Sequence, residues 1–213
     1  MKITILCSSK DHPVNLMLER WVDFYGAYHE IVLARNKSEL VSGDVLFLIS
    51  CGEIIKAEDR NKYKKTLVVH ASDLPRGRGW SPHVWAIIEG AQKITVTLLE
   101  AEDKVDSGSV WKKIEFEVPK HSLSHEINEL LFAAEYQLMS FAVEQFEHVK
   151  PTIQADMVPS YYPKRDPRNS ELDPDKSIAS QFDLIRVSDP ERFPAFFRMH
   201  GHTYKLTIEK IQK

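Results

Sequence analysis

The sequence predicts an α/β fold built on a mostly parallel sheet, and three observations support this prediction. Short apolar, β-branched runs recur along the first half of the chain, and stretches with apolar residues at helical spacing separate them. Strands that alternate with helices favour a parallel sheet covered on both faces. The 213 residues, 43% of them hydrophobic, suit one compact domain with a substantial core.

The first half of the chain carries the parallel part of this pattern. Because its apolar runs hardly alternate with polar residues, they are typical of strands buried on both faces. The predicted strands lie at residues 3–7, 30–34, 44–49 and 66–70, with helices near 16–25 and 57–63. The fourth strand, TLVVH, ends on a histidine, His70.

The second half begins with a change of pattern. A helix is predicted over residues 82–89, and alternating apolar residues over 94–99 and 110–118 then predict two strands. This hairpin-like pair indicates an antiparallel edge of the sheet. The longest helix is predicted over 124–148, because its apolar residues keep helical spacing until Pro151 stops it.

The residues after 150 predict an elaboration of the main domain. Residues 151–175 are rich in Pro, Tyr, Lys, Arg and Asp and show little periodicity, which is typical of a long functional loop. Short apolar runs follow at 182–187, 193–197 and 204–208. We therefore expect a catalytic domain over 1–150 and a C-terminal extension over 151–213 that packs on it.

Composition and charge exclude several classes of protein. The formal net charge is −3, so no global basic field points to nucleic acid or to an anionic membrane. No apolar run approaches the roughly 20 residues of a membrane helix, and the run over 1–6 is too short for a signal peptide, so we expect a cytoplasmic protein. Cys7 and Cys51 end apolar runs and predict free thiols rather than a disulfide or a zinc site.

Two polar residues follow predicted strands, at the position where open α/β sheets bind ligands. His70 ends a strand before a loop rich in Pro and Gly, and Asp106 ends an acidic loop before a Ser-Gly turn. Each residue alone is more often structural than catalytic. A histidine within reach of a carboxylate is a common acid–base pair, however, and this order of residues predicts one here.

The two blocks that contain these residues are HASDLPRGRGWSPHVW, over 70–85, and VDSG, over 105–108. They resemble the N10-formyltetrahydrofolate-dependent formyltransferases. That family has an Asn-x-His sequence, a Leu-Pro-x-x-Arg-Gly loop and an Asp in a (Leu/Val)-Asp-(Thr/Ser)-Gly turn. The resemblance covers roughly residues 1–118, and it implies a Rossmann-like domain in which His70 and Asp106 are catalytic.

One position departs from the family pattern. The family's Asn lies two residues before its His and helps to bind the formyl oxygen, whereas this chain has Val68 there. Losing one such donor costs roughly a few kcal/mol of transition-state stabilisation. The resemblance therefore implies a substitute donor, with Ser72, His83 or a backbone N–H as candidates, or else a slow or inactive protein.

The C-terminal part resembles the sugar N-formyltransferases within that family. The segment YPKRDPRNS, over 162–170, is similar to their Tyr-x-(Lys/Arg)-Arg-x-Pro-x-(Asp/Asn)-Ser segment, and the runs at 182–186 and 193–197 are similar to the region after it. Among these enzymes the chain looks most like the formyltransferase of formylated pseudaminic acid biosynthesis. That likeness implies N10-formyltetrahydrofolate as co-substrate and a UDP-linked 4-amino-4,6-dideoxy sugar as acceptor.

The resemblance also implies which residues bind the two substrates. The backbone of 100–105 is expected to hold the pterin, facing a wall at 51–55. The cofactor-binding residues are predicted to be Gly52, Glu53, Ile54, Ile55, Glu100, Glu102, Asp103 and Val105. A nucleotide diphosphate requires positive charge and its base an aromatic partner, so the substrate-binding residues are predicted to be Lys10, Arg76, Arg78, Tyr161 and Arg165. No metal is expected.

Three other interpretations stay open. The chain formylates a different amine, such as that of glycinamide ribonucleotide, or it binds folate without catalysing transfer, which Val68 motivates. The third is hydrolysis of formyltetrahydrofolate to formate without an acceptor. Family members often pair through their C-terminal regions, and the Phe and Tyr residues after Val187 favour a homodimer.

Overall fold

The computed structural model describes residues 1–211. The elements up to residue 100 are β1 (Lys2–Leu6), α1 (Asn15–Tyr25), β2 (Glu30–Ala34), β3 (Gly43–Leu48), α2 (Ala57–Arg60), β4 (Tyr63–His70), β5 (Arg78–Gly79), α3 (Pro82–Ile88) and β6 (Lys93–Glu100). The later elements are β7 (Val110–Glu117), α4 (Ser124–Glu144), β8 (Tyr161–Tyr162), α5 (Ile178–Val187), β9 (Ala195–Met199) and β10 (His202–Leu206). No helix in the described residues is both long and apolar enough to cross a bilayer.

Six strands form the central sheet in the order β2-β1-β3-β4-β6-β7. The strands from β2 to β4 are mutually parallel, whereas β6 runs antiparallel to β4 and β7 antiparallel to β6. The predicted α/β class, with a mostly parallel sheet and an antiparallel edge, is confirmed. The chain leaves β1 for β2 on one side and returns for β3 on the other, so ligands are expected beyond the carboxyl ends of these strands.

The two faces of the sheet are covered unequally. The large core cluster joins one face to residues of α1, α3 and α4, with Trp21 and Phe47 fully buried. A second, smaller cluster joins strand residues such as Leu46 and Tyr63 to Leu40 and Ile55 from the connections. The helix in the connection from β3 to β4, α2, has only four residues, so this connection contributes little helical cover.

The longest helix ends earlier than its apolar pattern predicts. α4 stops at Glu144, whose carboxylate accepts a hydrogen bond of 2.6 Å from the Tyr25 hydroxyl. Gln145 then leaves helical geometry, with φ −110° and ψ 13°. This departure brings the ring of Phe146 to 6.2 Å from Trp111 on β7. The helix boundary is therefore set by packing on the sheet, and Pro151 lies beyond it.

The segment predicted as a long loop is tied to the main domain by backbone pairing. Thr152 forms an antiparallel bridge with Val110, and β8 pairs in parallel with β5. The extension then contributes α5, which packs against α3, and the β9–β10 hairpin. A small apolar cluster of Leu172, Ile185 and Ala195 joins these parts.

One carboxyl lies in the core without full hydrogen bonding. Glu135 on α4 is buried, and its Oε2 has no hydrogen-bond partner among residues 1–211. Burial raises the pKa of Glu135 to about 8 from its ordinary value of 4.5. The folded protein therefore keeps a proton that the unfolded chain releases. Because of this difference, Glu135 lowers the free energy of unfolding progressively as the pH rises from about 4.5 to about 8.

Glu135→Gln is expected to remove this pH dependence, because glutamine has nearly the same shape and cannot ionise. The stability of the variant relative to the wild type rises by up to about 1.4 kcal/mol per pH unit between pH 5 and 8. Urea unfolding at several pH values measures the difference. Glu129→Gln, at an exposed position of the same helix, is the control and leaves the slope unchanged. Parallel pH profiles for Glu135→Gln and the wild type would contradict the assignment.

Candidate active site

His70 is held at the carboxyl end of β4 with a defined tautomer. The side chain is buried, and Nε2 lies 2.8 Å from the carbonyl oxygen of Gly77. Because a carbonyl oxygen only accepts hydrogen bonds, Nε2 carries the hydrogen. The nitrogen free to take up a proton is therefore Nδ1, which lies 3.6 Å from Oδ1 of Asp106. The structure thus brings the predicted acid–base pair together, out of bulk water.

Asp106 is positioned by its own backbone conformation and by hydrogen bonds from two distant parts of the chain. Its φ of 53° lies in the left-handed region, and its Oδ2 accepts a hydrogen bond of 2.9 Å from the Gly79 amide. The amide group of Gln154 donates to the carbonyls of Asp106 and Gly108, at 2.8 and 2.9 Å. These contacts fix the turn, so that Oδ1 faces the imidazole of His70.

Arg78 supports this turn through the loop after residue 150. Its guanidinium is buried, and Nη2 donates to Oε1 of Gln154 at 2.7 Å while Nη1 donates to the Tyr161 hydroxyl at 3.3 Å. Arg78 thereby orients Gln154, which in turn holds Asp106. Sequence reasoning missed Gln154, because it lies in an aperiodic segment 48 residues from its partner. Contact of Arg78 with substrate remains a prediction.

The two segments predicted as walls of the folate site face each other across one arginine. Arg60 donates to the carbonyl of Ile55 at 2.7 Å and pairs with the carboxylate of Asp103 at 2.5 Å. Ile55 is buried beside Val68 and Ala101, whereas Asp103 is exposed. Among residues 1–211 the backbone amides of 102–106 have no hydrogen-bond acceptor. The polar edge of a planar ring would find free donors there.

The remaining predicted cofactor residues occupy two kinds of environment. Oε1 of Glu100 accepts hydrogen bonds from Lys65 at 2.6 Å and Trp111 at 3.1 Å, and the Glu100 amide donates to the Ser109 carbonyl at 2.9 Å, so this residue is held by the protein itself. Glu53 accepts from the Lys37 amide at 3.2 Å. The others lie exposed at the rim of the cleft, namely Gly52, Ile54, Glu102 and Val105.

Ser8 links the loops after β1 and β3. Its hydroxyl accepts from the Gly52 amide at 3.0 Å and lies 3.7 Å from the sulfur of Cys51. Both cysteines are free, as predicted. Burial raises the pKa of the Cys7 and Cys51 thiols, so both remain protonated near neutral pH.

The predicted substrate residues do not form a single cluster. Lys10 and Arg76 are exposed, and their side chains make no hydrogen bond or ion pair within residues 1–211. Tyr161 is half-exposed and accepts a hydrogen bond from Arg78. Arg165 is buried against Ser170 in the extension. Of the five, only Arg78 and Tyr161 are in direct contact with each other.

The position of the missing family Asn offers no hydrogen-bond donor of its own. Val68 lies two residues before His70 on the same face of β4, among Cys51, Ile55 and Ala101. Both candidate side-chain donors are unengaged within residues 1–211. The Ser72 hydroxyl is buried without a partner. Burial, with the nearby charge of Arg165, lowers the pKa of His83 to about 4, so its imidazole is neutral at pH 7.

A recess elsewhere on the surface contains none of the catalytic residues. It has a volume of about 420 Å³ and lies at the C-terminal tail, lined by His121, Leu123, Phe182, Ile208, Glu209, Lys210 and Ile211. Its lining carries no residue of the His70–Asp106 pair or of the two folate walls.

Comparison with known proteins connects this cleft to a family. The sequence profile of the formyl transferase family matches residues 27–143, which include both His70 and Asp106. The methionyl-tRNA formyltransferase of Protochlamydia amoebophila is 27% identical over 175 residues, covering 79% of this chain and 54% of that protein. The chain thus spans about half the length of the curated relatives it matches.

Solved structures share the fold at low sequence identity. HypX from Aquifex aeolicus, in complex with tetrahydrofolic acid, has a TM-score of 0.80 and 24% identity over 95% of this chain and 36% of its own. A sugar N-formyltransferase from a Shewanella species has a TM-score of 0.75 and 16% identity, over 100% of this chain and 99% of its own. With more than half of its residues matched by the profile, the chain belongs to the formyl transferase family.

Proposed function

We propose that this protein transfers a formyl group from N10-formyltetrahydrofolate to the amine of a nucleotide-linked amino sugar. The observation that carries the proposal is the buried His70–Asp106 pair at the carboxyl end of β4, inside the region that matches the family. This pair lies at the sheet edge where ligands of open α/β folds bind. We further propose that the acceptor is a UDP-linked 4-amino-4,6-dideoxy sugar, of the kind used in pseudaminic acid and polysaccharide biosynthesis. We also propose that the enzyme acts in the cytoplasm.

The reaction moves one acyl group and one proton. The amine nitrogen attacks the formyl carbon, a C–N bond forms, and the oxygen of the tetrahedral intermediate carries the negative charge. The bond from that carbon to N10 then breaks, and N10 takes the proton that the amine loses. Nδ1 of His70 accepts this proton, because Nε2 already holds a hydrogen for the Gly77 carbonyl. The Asp106 carboxylate stabilises the imidazolium until the proton reaches N10.

Folate binding is supported by the two walls of the cleft. The unpaired amides of 102–106 suit the donor–acceptor edge of a pterin, and the apolar side chains of Val68 and Ala101 suit its ring face. HypX, which shares the fold, is described in complex with tetrahydrofolic acid. Ile54 and Val105, both exposed at the rim, would lose their contact with water when a ligand occupies the cleft.

The C-terminal extension supports a sugar as the acceptor. The YPKRDPRNS segment pairs with the loop behind His70, since β8 hydrogen-bonds to β5, and the chain covers 99% of the Shewanella sugar N-formyltransferase. A second candidate acceptor is the amine of an aminoacyl-tRNA, which the methionyl-tRNA formyltransferases among the sequence relatives favour. The net charge of −3 gives this chain no general attraction for RNA, so we rank the sugar first.

A formyl-transfer assay tests the proposal. Purified protein is incubated with N10-formyltetrahydrofolate and a panel of UDP- and dTDP-linked amino sugars, with methionyl-tRNA in a separate arm. We expect release of tetrahydrofolate that depends on a sugar acceptor, and a product heavier by one formyl group. Transfer to methionyl-tRNA alone would show that the acceptor is an aminoacyl-tRNA and not a sugar. Release of tetrahydrofolate without any acceptor would indicate a hydrolase. Folate binding without turnover would indicate an inactive relative.

A further inference from the structure

Arg165 is a buried cation without an anionic partner. The residue is only 8% exposed, and within residues 1–211 its guanidinium forms no ion pair. Nη2 donates to the Ser170 hydroxyl at 3.0 Å, while Nε has no partner there. Burial lowers the pKa of Arg165, but a guanidinium stays charged at neutral pH. Because an unpaired buried charge is strongly destabilising, such a site calls for an anion from outside the chain.

A second guanidinium shares the same aromatic ring. The Cζ atoms of Arg165 and Arg192 lie 5.1 and 5.8 Å from the ring centroid of Phe193. Arg192 is exposed, and its side chain makes no hydrogen bond or ion pair within residues 1–211. The carboxylate of Asp189 attracts Arg165, but within residues 1–211 it forms no ion pair with either arginine, and its Oδ1 accepts from the backbone amides of Glu191 and Arg192 at 2.9 and 3.0 Å. Two guanidinium groups therefore stand together without a paired carboxylate.

Two histidines respond to the positive charge of these arginines. Burial and the charge of Arg192 lower the pKa of His12 to about 4, and burial and the charge of Arg165 do the same for His83. Nδ1 of His12 accepts a hydrogen bond of 3.2 Å from the Val14 amide, so the hydrogen of the neutral ring is on Nε2. That N–H has no acceptor within the described residues.

We propose that Arg165 and Arg192 form a phosphate-binding subsite. The proposal rests on the proposed function and names its occupant as the diphosphate of the nucleotide-linked substrate. Guanidinium groups bind phosphate oxygens through paired hydrogen bonds. Both arginines belong to the C-terminal extension, so the extension supplies the positive charge that recognises the substrate.

Isothermal titration with UDP and with pyrophosphate tests the subsite. Arg192→Gln changes an exposed side chain, and we expect both ligands to bind at least tenfold more weakly, because a charge-assisted contact is lost. Arg165→Met is expected to have the same effect, with an unfolding midpoint equal to or above that of the wild type, since a buried charge is removed. Arg168→Gln is the matched control, because its guanidinium already pairs with Asp166.

The same titrations separate the sources of the anion. Wild-type protein that binds neither UDP nor pyrophosphate, or variants that bind both as tightly as the wild type does, would overturn the subsite. Weakened binding of 5-formyltetrahydrofolate with unchanged UDP binding would assign the arginines to the glutamate tail of the folate, and would overturn the phosphate assignment. These titrations need no turnover, so loss of the subsite leaves formyl transfer to be judged by its own assay.

Discussion

His70→Asn and His70→Gln are each expected to lower kcat for formyl transfer by about 10²- to 10⁴-fold, because both remove the group that takes up the amine proton. The two variants differ in whether they keep the hydrogen bond to the Gly77 carbonyl. A glutamine amide reaches the position of Nε2 and continues to donate to the Gly77 carbonyl, whereas an asparagine amide lies nearer Nδ1 and leaves that carbonyl without a donor. Only the Asn variant is therefore expected to lose stability, by roughly 1–3 kcal/mol.

Steady-state kinetics and urea unfolding on the same samples separate these effects. The dissociation constant of 5-formyltetrahydrofolate should stay within about threefold of the wild-type value in both variants. The proposed pterin site uses the free amides of 102–106 and not the side chain of His70. His202→Asn, at an exposed position on β10, is the control and changes neither kcat nor stability. Unchanged turnover in His70→Gln would remove His70 from catalysis.

The parallel half of the fold was predictable because its signal is local. β2 spans Glu30–Ala34 as predicted, and the other predicted strands shift by a few residues at most. Such strands are buried on both faces, so each appears in the sequence as a continuous apolar run. The end of α4 was not predictable in this way. It depends on the packing of Phe146 against Trp111, a contact between distant parts of the chain.

In the candidate site, too, the residues with a local sequence signal were predictable and the others were not. His70 and Asp106 follow strands that can be recognised, and the resemblance to the family names them together. Gln154 leaves no local signal, because its role is set by hydrogen bonds to backbone carbonyls far away in sequence. Arg192 was likewise not selected, because only the fold reveals that it shares the Phe193 ring with Arg165.

Gly108→Ala is expected to disturb both the stability and the active site, because the turn after β6 leaves no room for a side chain. A Cβ atom at position 108 would lie 1.9 Å from the carbonyl oxygen of Glu100 and 2.8 Å from its carbonyl carbon. These are backbone atoms within the sheet, so they cannot rotate away as a side chain would. We expect a loss of roughly 3 kcal/mol, which for a chain of this size lowers the unfolding midpoint by about 6–12 °C.

The same displacement reaches the catalytic pair. Gln154 holds the carbonyls of Gly108 and Asp106 with one amide group, so a shift of the first carbonyl moves the carboxylate that faces His70. The surviving folded protein should therefore have a lower kcat. Gly52→Ala is the matched control for stability, since neither glycine has a positive φ and a Cβ at 52 meets nothing within 4 Å. Equal unfolding midpoints for the two variants would show that the turn has room to move, and that Asp106 is held by other contacts.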